Sequence, residues 1–312
     1  MRRFLIDTDT GNDDVWALIA ALRAEEQIRV EAITVVVGNV PLDLCVKNAL
    51  IAVEKADTYH PPVYKGMGRP IIRKMRDASN VHGEDGLSNM NLPYPNIKPE
   101  KKHAVDAIID IIMENPGEIE VVTLGPLTNL AMAYLIEPEI AHKIKKVFIM
   151  GGTGLDQGNA TPAAEFNIMV DAEAASIVLE SGMDMTWVTW DTARFSAAMT
   201  RADFDFIASA GTPLSDFCVR CVQSVREYDE KKYKNPDEIG IIDSVIMIAA
   251  IWQEVMKDVY SAYCSIETKG EKTYGYFSID KHAMHNEGVL TNICPAVDSK
   301  KYKDHLFKLF MG

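Results

Sequence analysis

Residues 7–14 read Asp7-Thr8-Asp9-Thr10-Gly11-Asn12-Asp13-Asp14 and place four carboxylates within eight positions. No other stretch constrains the fold as strongly. The apolar run Phe4-Leu5-Ile6 precedes it, and residues 15–22 follow with helical spacing. A short apolar run before a helical period reads as a buried strand. The acids therefore fall in a strand-to-helix turn, with Gly11 supplying the freedom for a sharp bend or a close approach. Open α/β sheets place their ligands at the carboxyl ends of strands. Four acids this close repel one another. A divalent cation relieves that repulsion, and oxygen-only ligands suit Ca2+ or Mg2+. Helix capping and the helix dipole explain an Asp or two. They do not explain Asp7 and Asp9, which precede the turn.

The same β-to-α alternation continues along the chain. Residues 30–37, 119–124, 146–150 and 185–189 read as strands, rich in Val, Ile and Thr. Residues 41–55 and 101–114 read as helices, and further helices start near residues 127 and 171. Residues 66–99 form a loop-rich region. Such alternation specifies a mostly parallel central sheet flanked by helices. Past Thr200 the pattern turns mostly helical, and residues 259–266 and 274–279 read as an edge hairpin. No repeat or linker interrupts residues 1–312, so one α/β domain is expected.

Composition narrows the function. Hydrophobic residues make up 47% of the 312, enough for a large core. A net charge of −13 opposes binding to nucleic-acid phosphate or anionic membranes. The start, Met1-Arg2-Arg3-Phe4, runs directly into a strand, with no long apolar segment, so a cytoplasmic protein is expected. The five cysteines, Cys45, Cys218, Cys221, Cys264 and Cys294, are odd in number and scattered, which does not fit a disulfide framework.

Several polar residues follow strand ends or loops. They are Asn39, the turn in Thr123-Leu124-Gly125-Pro126, and residues 158–167, Gly-Asn-Ala-Thr-Pro-Ala-Ala-Glu-Phe-Asn. His82 lies in Val81-His82-Gly83-Glu84-Asp85-Gly86-Leu87, and Asp243 opens the apolar stretch 244–252. Amides and carboxylates such as Asn159, Glu165 and Asn167 can bond paired hydroxyls.

Taken together, the Asp octet and the Asn159/Glu165/Asn167 segment resemble the signature of the nucleoside hydrolase (inosine-uridine nucleoside N-ribohydrolase) family, over about the whole chain. The resemblance implies a single-domain, Rossmann-like nucleoside hydrolase fold with extra helices towards the C-terminus. It implies calcium-dependent hydrolysis of the N-glycosidic bond of ribonucleosides to free base and ribose, and a homodimer or homotetramer. It implies Ca2+ held by Asp9, Asp14, Asp243 and the carbonyl of Leu124, with Asp9 as catalytic base. Ribose binding falls to Asp13, Asn39, Asn159, Glu165 and Asn167, and Asp7 orients its neighbours. His82 lies where the family places a histidine near the leaving base.

One departure stands out. Many family members carry a His before the distant Asp, proposed to protonate the base; this chain has Ile242. Three routes to base departure remain open. His82 supplies the proton, an aromatic from Phe166, Trp187, Trp190, Tyr228 and Tyr233 stacks on the base, or the substrate carries a better leaving group. The charged helix 226–234 would bring Tyr228 and Tyr233 over the site. Two alternatives use the same residues: a Mg2+-dependent phosphatase of haloacid-dehalogenase type with Asp7 as nucleophile, and a non-catalytic nucleoside or ribose binder. Gly11 stands where the phosphatase motif needs Thr or Val.

Overall fold

The computed structural model describes residues 1–154, 156–233 and 238–312; residues 155 and 234–237, and the side chain of Tyr233, lie outside the described residues. In chain order the strands are β1 Arg2–Thr8, β2 Ile28–Val35, β3 Val63–Lys65, β4 Ile119–Thr123, β5 Lys146–Met150, β6 Met185–Val188, β7 Met199–Thr200, β8 Glu238–Ile239, β9 Met256–Lys257, β10 Tyr260–Ile266, β11 Phe277–Asp280, β12 Val289–Cys294 and β13 Ala296–Val297. The helices are α1 Asn12–Arg23, α2 Leu42–Ala56, α3 Ser79–His82, α4 Ala104–Glu114, α5 Thr128–Ile136, α6 Ile140–Lys143, α7 Phe166–Val170, α8 Ala172–Leu179, α9 Trp190–Ser196, α10 Arg201–Ala208, α11 Pro213–Cys221, α12 Gln223–Tyr233, α13 Ile242–Ile251 and α14 Ser299–Met311.

Nine strands form one sheet in the order β11-β10-β12-β6-β5-β4-β1-β2-β3. From β3 to β12 every neighbour is parallel, and β10 and β11 close the far edge antiparallel. The expected edge hairpin is therefore present, but β12, which the sequence reading did not identify, joins it to the parallel sheet. β12 shows a weak pattern because its residues Val289 and Leu290 remain partly or largely exposed.

The apolar run of β1 feeds two cores. Phe4 and Ile6 pack into the layer that holds α1, α2, α13 and α14, while Leu5 packs into the layer of α4, α5 and α8. This is the two-residue alternation of a strand buried on both faces. Burying both faces of so large a sheet accounts for the 47% hydrophobic content. Among the described residues no helix is long and apolar enough to cross a membrane.

The topology positions the site. From β1, the chain proceeds outward through β2 and β3 on one side, then returns to place β4, β5 and β6 on the other. The strand order reverses between β1 and β4, and ligands of open α/β sheets bind beyond the carboxyl ends of strands at that point. Asp7 and Thr8 end β1, and Leu124 immediately follows β4. Helix α1 starts at Asn12 rather than Val15, so Asp13 and Asp14 belong to its first turn. There the exposed N–H groups and the helix dipole favour negative charge.

Candidate active site

A cavity of about 280 Å3 opens above the carboxyl ends of β1 and β4. Its lining includes Asp9, Asp13, Asn39, His82, Leu124, Asn159, Glu165, Phe166, Asn167, Trp190, Tyr228 and Asp243. Residues separated by more than two hundred positions thus meet at one place, while Asp14 stands behind the lining.

Asp14 is anchored on both oxygens. Oδ1 accepts from the Thr8 hydroxyl at 2.6 Å, and Oδ2 accepts from Gly11 N–H at 2.8 Å and from Asn39 Nδ2 at 3.0 Å. Asp9 is held by one oxygen: Oδ2 accepts the Asn39 backbone N–H at 2.9 Å. Its carboxylate lies so close to two backbones that glycine is required at both. A Cβ on Gly38 would lie 1.8 Å from Oδ2, and one on Gly125 would lie 2.6 Å from Oδ1. Asp9 therefore packs against the peptide that follows Leu124. Leu124 O itself accepts from Asn167 Nδ2 at 2.7 Å.

Three carboxylate oxygens in this cluster, Asp9 Oδ1, Asp13 Oδ1 and Asp243 Oδ1, are buried with no hydrogen-bond partner among the described residues. Orphaned acceptors of this kind are costly unless a partner arrives. Ligand oxygens of Asp13, Asp14 and Asp243 lie within 4.8 Å of one another. The structure thus brings Asp14 and Asp243 together, but with Asp13 as the third member of the triad rather than Asp9. All four repel. Burial, then the Asp14 charge, pushes Asp9 well above the ordinary carboxylate range; burial, then Asp13 and Asp14, does the same to Asp243. Burial raises Asp13 to about 6. An all-oxygen set of crowded, partly unpaired carboxylates fits a hard divalent cation.

The 159–167 segment forms the opposite wall. Glu165 caps α7 and is gripped by backbone N–H groups: Oε1 by Asn167 at 2.8 Å, Oε2 by Gly152 at 3.1 Å and Ile168 at 3.3 Å. Burial still raises it to about 7. Asn159 Oδ1 accepts from Phe166 N–H at 2.8 Å, which leaves its Nδ2 able to donate into the cavity.

His82 is neutral near pH 7, because burial lowers it to about 4. Its tautomer follows from Asn12. Asn12 Nδ2 donates to Cys221 O and to Ser88 Oγ, so Oδ1 must face the ring. The Asn12 backbone N–H also points at His82 Nδ1, from 3.3 Å, but the 2.6 Å contact to Oδ1 is the shorter and requires a proton between the two atoms, so Nδ1 is protonated and Nε2 carries the lone pair.

Two expectations are corrected by position. Asp7, the nucleophile of the phosphatase alternative, does not line the cavity. Its Oδ1 accepts from Thr34 at 2.5 Å and Asn129 at 2.8 Å, which braces β1 between β2 and α5. Trp187 is fully buried against Phe277, with ring centroids 4.7 Å apart, and belongs to the core. Tyr233 lies outside the described side chains. Cys218 and Cys221 are buried in the core, and burial raises both thiols.

The sequence reading missed most of one wall. Val225, Tyr228, Asp229 and Lys232 line the cavity at the i, i+3, i+4, i+7 spacing of one helix face. Lys232 donates to Asn159 O at 2.9 Å and lies 3.1 Å from Tyr228 Oη, tying α12 to the opposite wall. The spacing was visible, but nothing local distinguishes an inward carboxylate from a solvated one.

Residues 4–304 match the profile of the "Inosine-uridine preferring nucleoside hydrolase" family. The chain is 33% identical over 304 residues to an inosine-uridine preferring nucleoside hydrolase of Leishmania major, covering 96% of this chain and 95% of that protein. It is 32% identical over 302 residues to the pyrimidine-specific ribonucleoside hydrolase RihA of Salmonella gallinarum, covering 97% and 96%. Among solved structures, a plant nucleoside hydrolase, PpNRh1, superposes with a TM-score of 0.93 at 30% identity, covering 100% of this chain and 99% of that one.

Proposed function

The chain belongs to the inosine-uridine preferring nucleoside hydrolase family and is an N-glycosyl hydrolase of ribonucleosides; from that premise we propose a calcium-dependent enzyme of the cytoplasm that salvages bases as a homodimer or homotetramer. The observation that carries the reading is the trio of buried oxygens on Asp9, Asp13 and Asp243 that lack a hydrogen-bond partner among the described residues, on a cavity that Leu124 also lines.

Asp9, Asp14, Asp243 and the Leu124 carbonyl would hold the Ca2+, with Asp13 placed between the ion and the ribose hydroxyls. A bound divalent cation supplies positive charge that makes nearby water a stronger acid. Asp9, which lines the cavity, would act as the base: Asn39 fixes one of its oxygens, and the other has no hydrogen-bond partner among the described residues. Asn39, Asn159, Glu165 and Asn167 grip the sugar. Asn159 offers an N–H, and the backbone donors on Glu165 keep its carboxyl oriented. Phe166, Trp190 and Tyr228 flank the space left for the base. Cleavage leads through an oxocarbenium-like sugar. Asp13 and Glu165, both near the ribose, stabilise that positive charge.

The test is release of base and ribose from inosine, adenosine, guanosine, uridine and cytidine with added Ca2+, against Asp9→Ala. Turnover lost in the variant supports the reading. No release by the wild type, or equal release by Asp9→Ala, refutes it.

A further inference from the structure

Ile242 cannot transfer a proton, yet a departing base is a poor leaving group as an anion. The cavity holds another acid. Outside the four-Asp cluster its carboxylates are Glu165, Asp77 and Asp229. Glu165 is engaged by backbone N–H groups. Asp77 is exposed and accepts from Ser79 at 2.8 Å. Asp229 is only 7% exposed, and no described residue donates a hydrogen bond to it. It shares its helix face with Tyr228, across a cavity that Ile242, Trp190 and His82 also line. His82, with Nδ1–H committed to Asn12, presents an acceptor there rather than a donor.

We propose that the Asp229 carboxyl is the general acid that protonates the departing base, replacing the function lost with Ile242. The inference rests on the nucleoside hydrolase reading. In the step, the bond from C1′ to the base nitrogen breaks and its electron pair moves onto the base. The Asp229 O–H proton passes to a ring nitrogen of the base. Water adds to C1′ and gives a proton to Asp9, which then releases it to solvent while Asp229 takes one up, returning both carboxyls to their starting states. His82 Nε2 can accept an N–H of the base and so hold its plane.

The surroundings suit an acid working near neutrality. Burial raises Asp229 to about 6, against the lowering charges of Arg194 on α9 and Lys232 on its own helix, with Asp13 on α1 adding to the rise. α12 packs against α3, α11 and β8, whose charged and titratable groups are His82 on α3, Asp216, Cys218, Arg220 and Cys221 on α11, and Glu238 on β8.

The experiment compares inosine with p-nitrophenyl riboside, whose leaving group needs no proton, in the calcium-loaded wild type, Asp229→Asn and Asp229→Glu. Asp229→Asn should lower kcat on inosine by about 100-fold and change the activated substrate by no more than about threefold. Asp229→Glu should restore part of the inosine rate. In the wild type, kcat/KM on inosine should decline as pH rises above about 6, a limb absent from the activated substrate and from Asp229→Asn. Wild-type turnover of both substrates, with equal losses or no losses in Asp229→Asn, would overturn this proposal alone. A wild type that cleaves neither would overturn the hydrolase reading and this proposal with it.

Discussion

Asn167 donates its side-chain amide to the backbone carbonyl of Leu124 across 2.7 Å, joining the start of α7 to the end of β4. A residue expected to grip the sugar thereby orients a carbonyl expected to bind the cation. The two functions are mechanically coupled, because neither group can turn without disturbing the other.

Removing that amide should weaken both. Asn167→Ala is expected to lower Ca2+ affinity by about tenfold, the usual cost of losing a group that orients a ligand, and to raise KM for inosine. Calorimetric titration of the metal-free protein with Ca2+ reads the first directly. Unchanged affinity would show that the Leu124 carbonyl is not a ligand.

Chelation offers a test of the acidic cluster independent of turnover. EGTA should abolish activity and lower Tm, and added Ca2+ should restore both, since the ion cancels repulsion among Asp9, Asp13, Asp14 and Asp243. Asp243→Asn removes one buried charge. Its metal-free form should melt no lower than metal-free wild type, and its Tm should no longer rise with Ca2+. Full activity after exhaustive chelation would reject the cation.

Acid stability should carry a signature far from the site. Burial alone would raise Glu120 on β4, but its bonds to Arg2 and Lys145, each with a 3.0 Å contact, outweigh it and lower the folded value. A group depressed in the folded state contributes stability above its unfolded pKa and loses it as pH falls through the folded one. Glu120→Gln should therefore be less stable at pH 7 and show a shallower loss between about pH 5 and pH 3. Urea unfolding at several pH values measures this. The wild-type curve alone would not, since Asp7 and Glu165, both raised to about 7 by burial, act with the opposite sign. Parallel curves for the two proteins would remove Glu120 from the account.

Base preference should follow from the cavity wall. Ile242, Phe166, Trp190 and Tyr228 offer apolar and aromatic surface, which favours stacking and shape over hydrogen-bonded readout. A purine presents the larger face, so inosine should be cleaved at least about tenfold faster than uridine in kcat/KM. Trp190→Ala should narrow that ratio. Uridine turned over as fast as inosine would show that the Ile242 wall does not select, despite the residue it replaces.

Much of this protein was legible before any fold. The apolar triplet before the Asp octet fixed a strand, and Gly11 and the helical spacing after it fixed a turn and a helix, because those signals are local. The chain order of strands and helices implied a parallel sheet, and a parallel sheet implies a site at its carboxyl edge. Only tertiary structure could decide the rest. Whether Asp7 faces the cavity depends on Thr34 and Asn129, which approach it from other elements. Whether Asp13 belongs with the metal or the sugar depends on Asp243, 230 positions away on α13. Asp229 reads in sequence as one more charge on a polar helix. Its chemistry comes from burial and from having no hydrogen-bond donor among the described residues, and both are set by what the rest of the chain places around it.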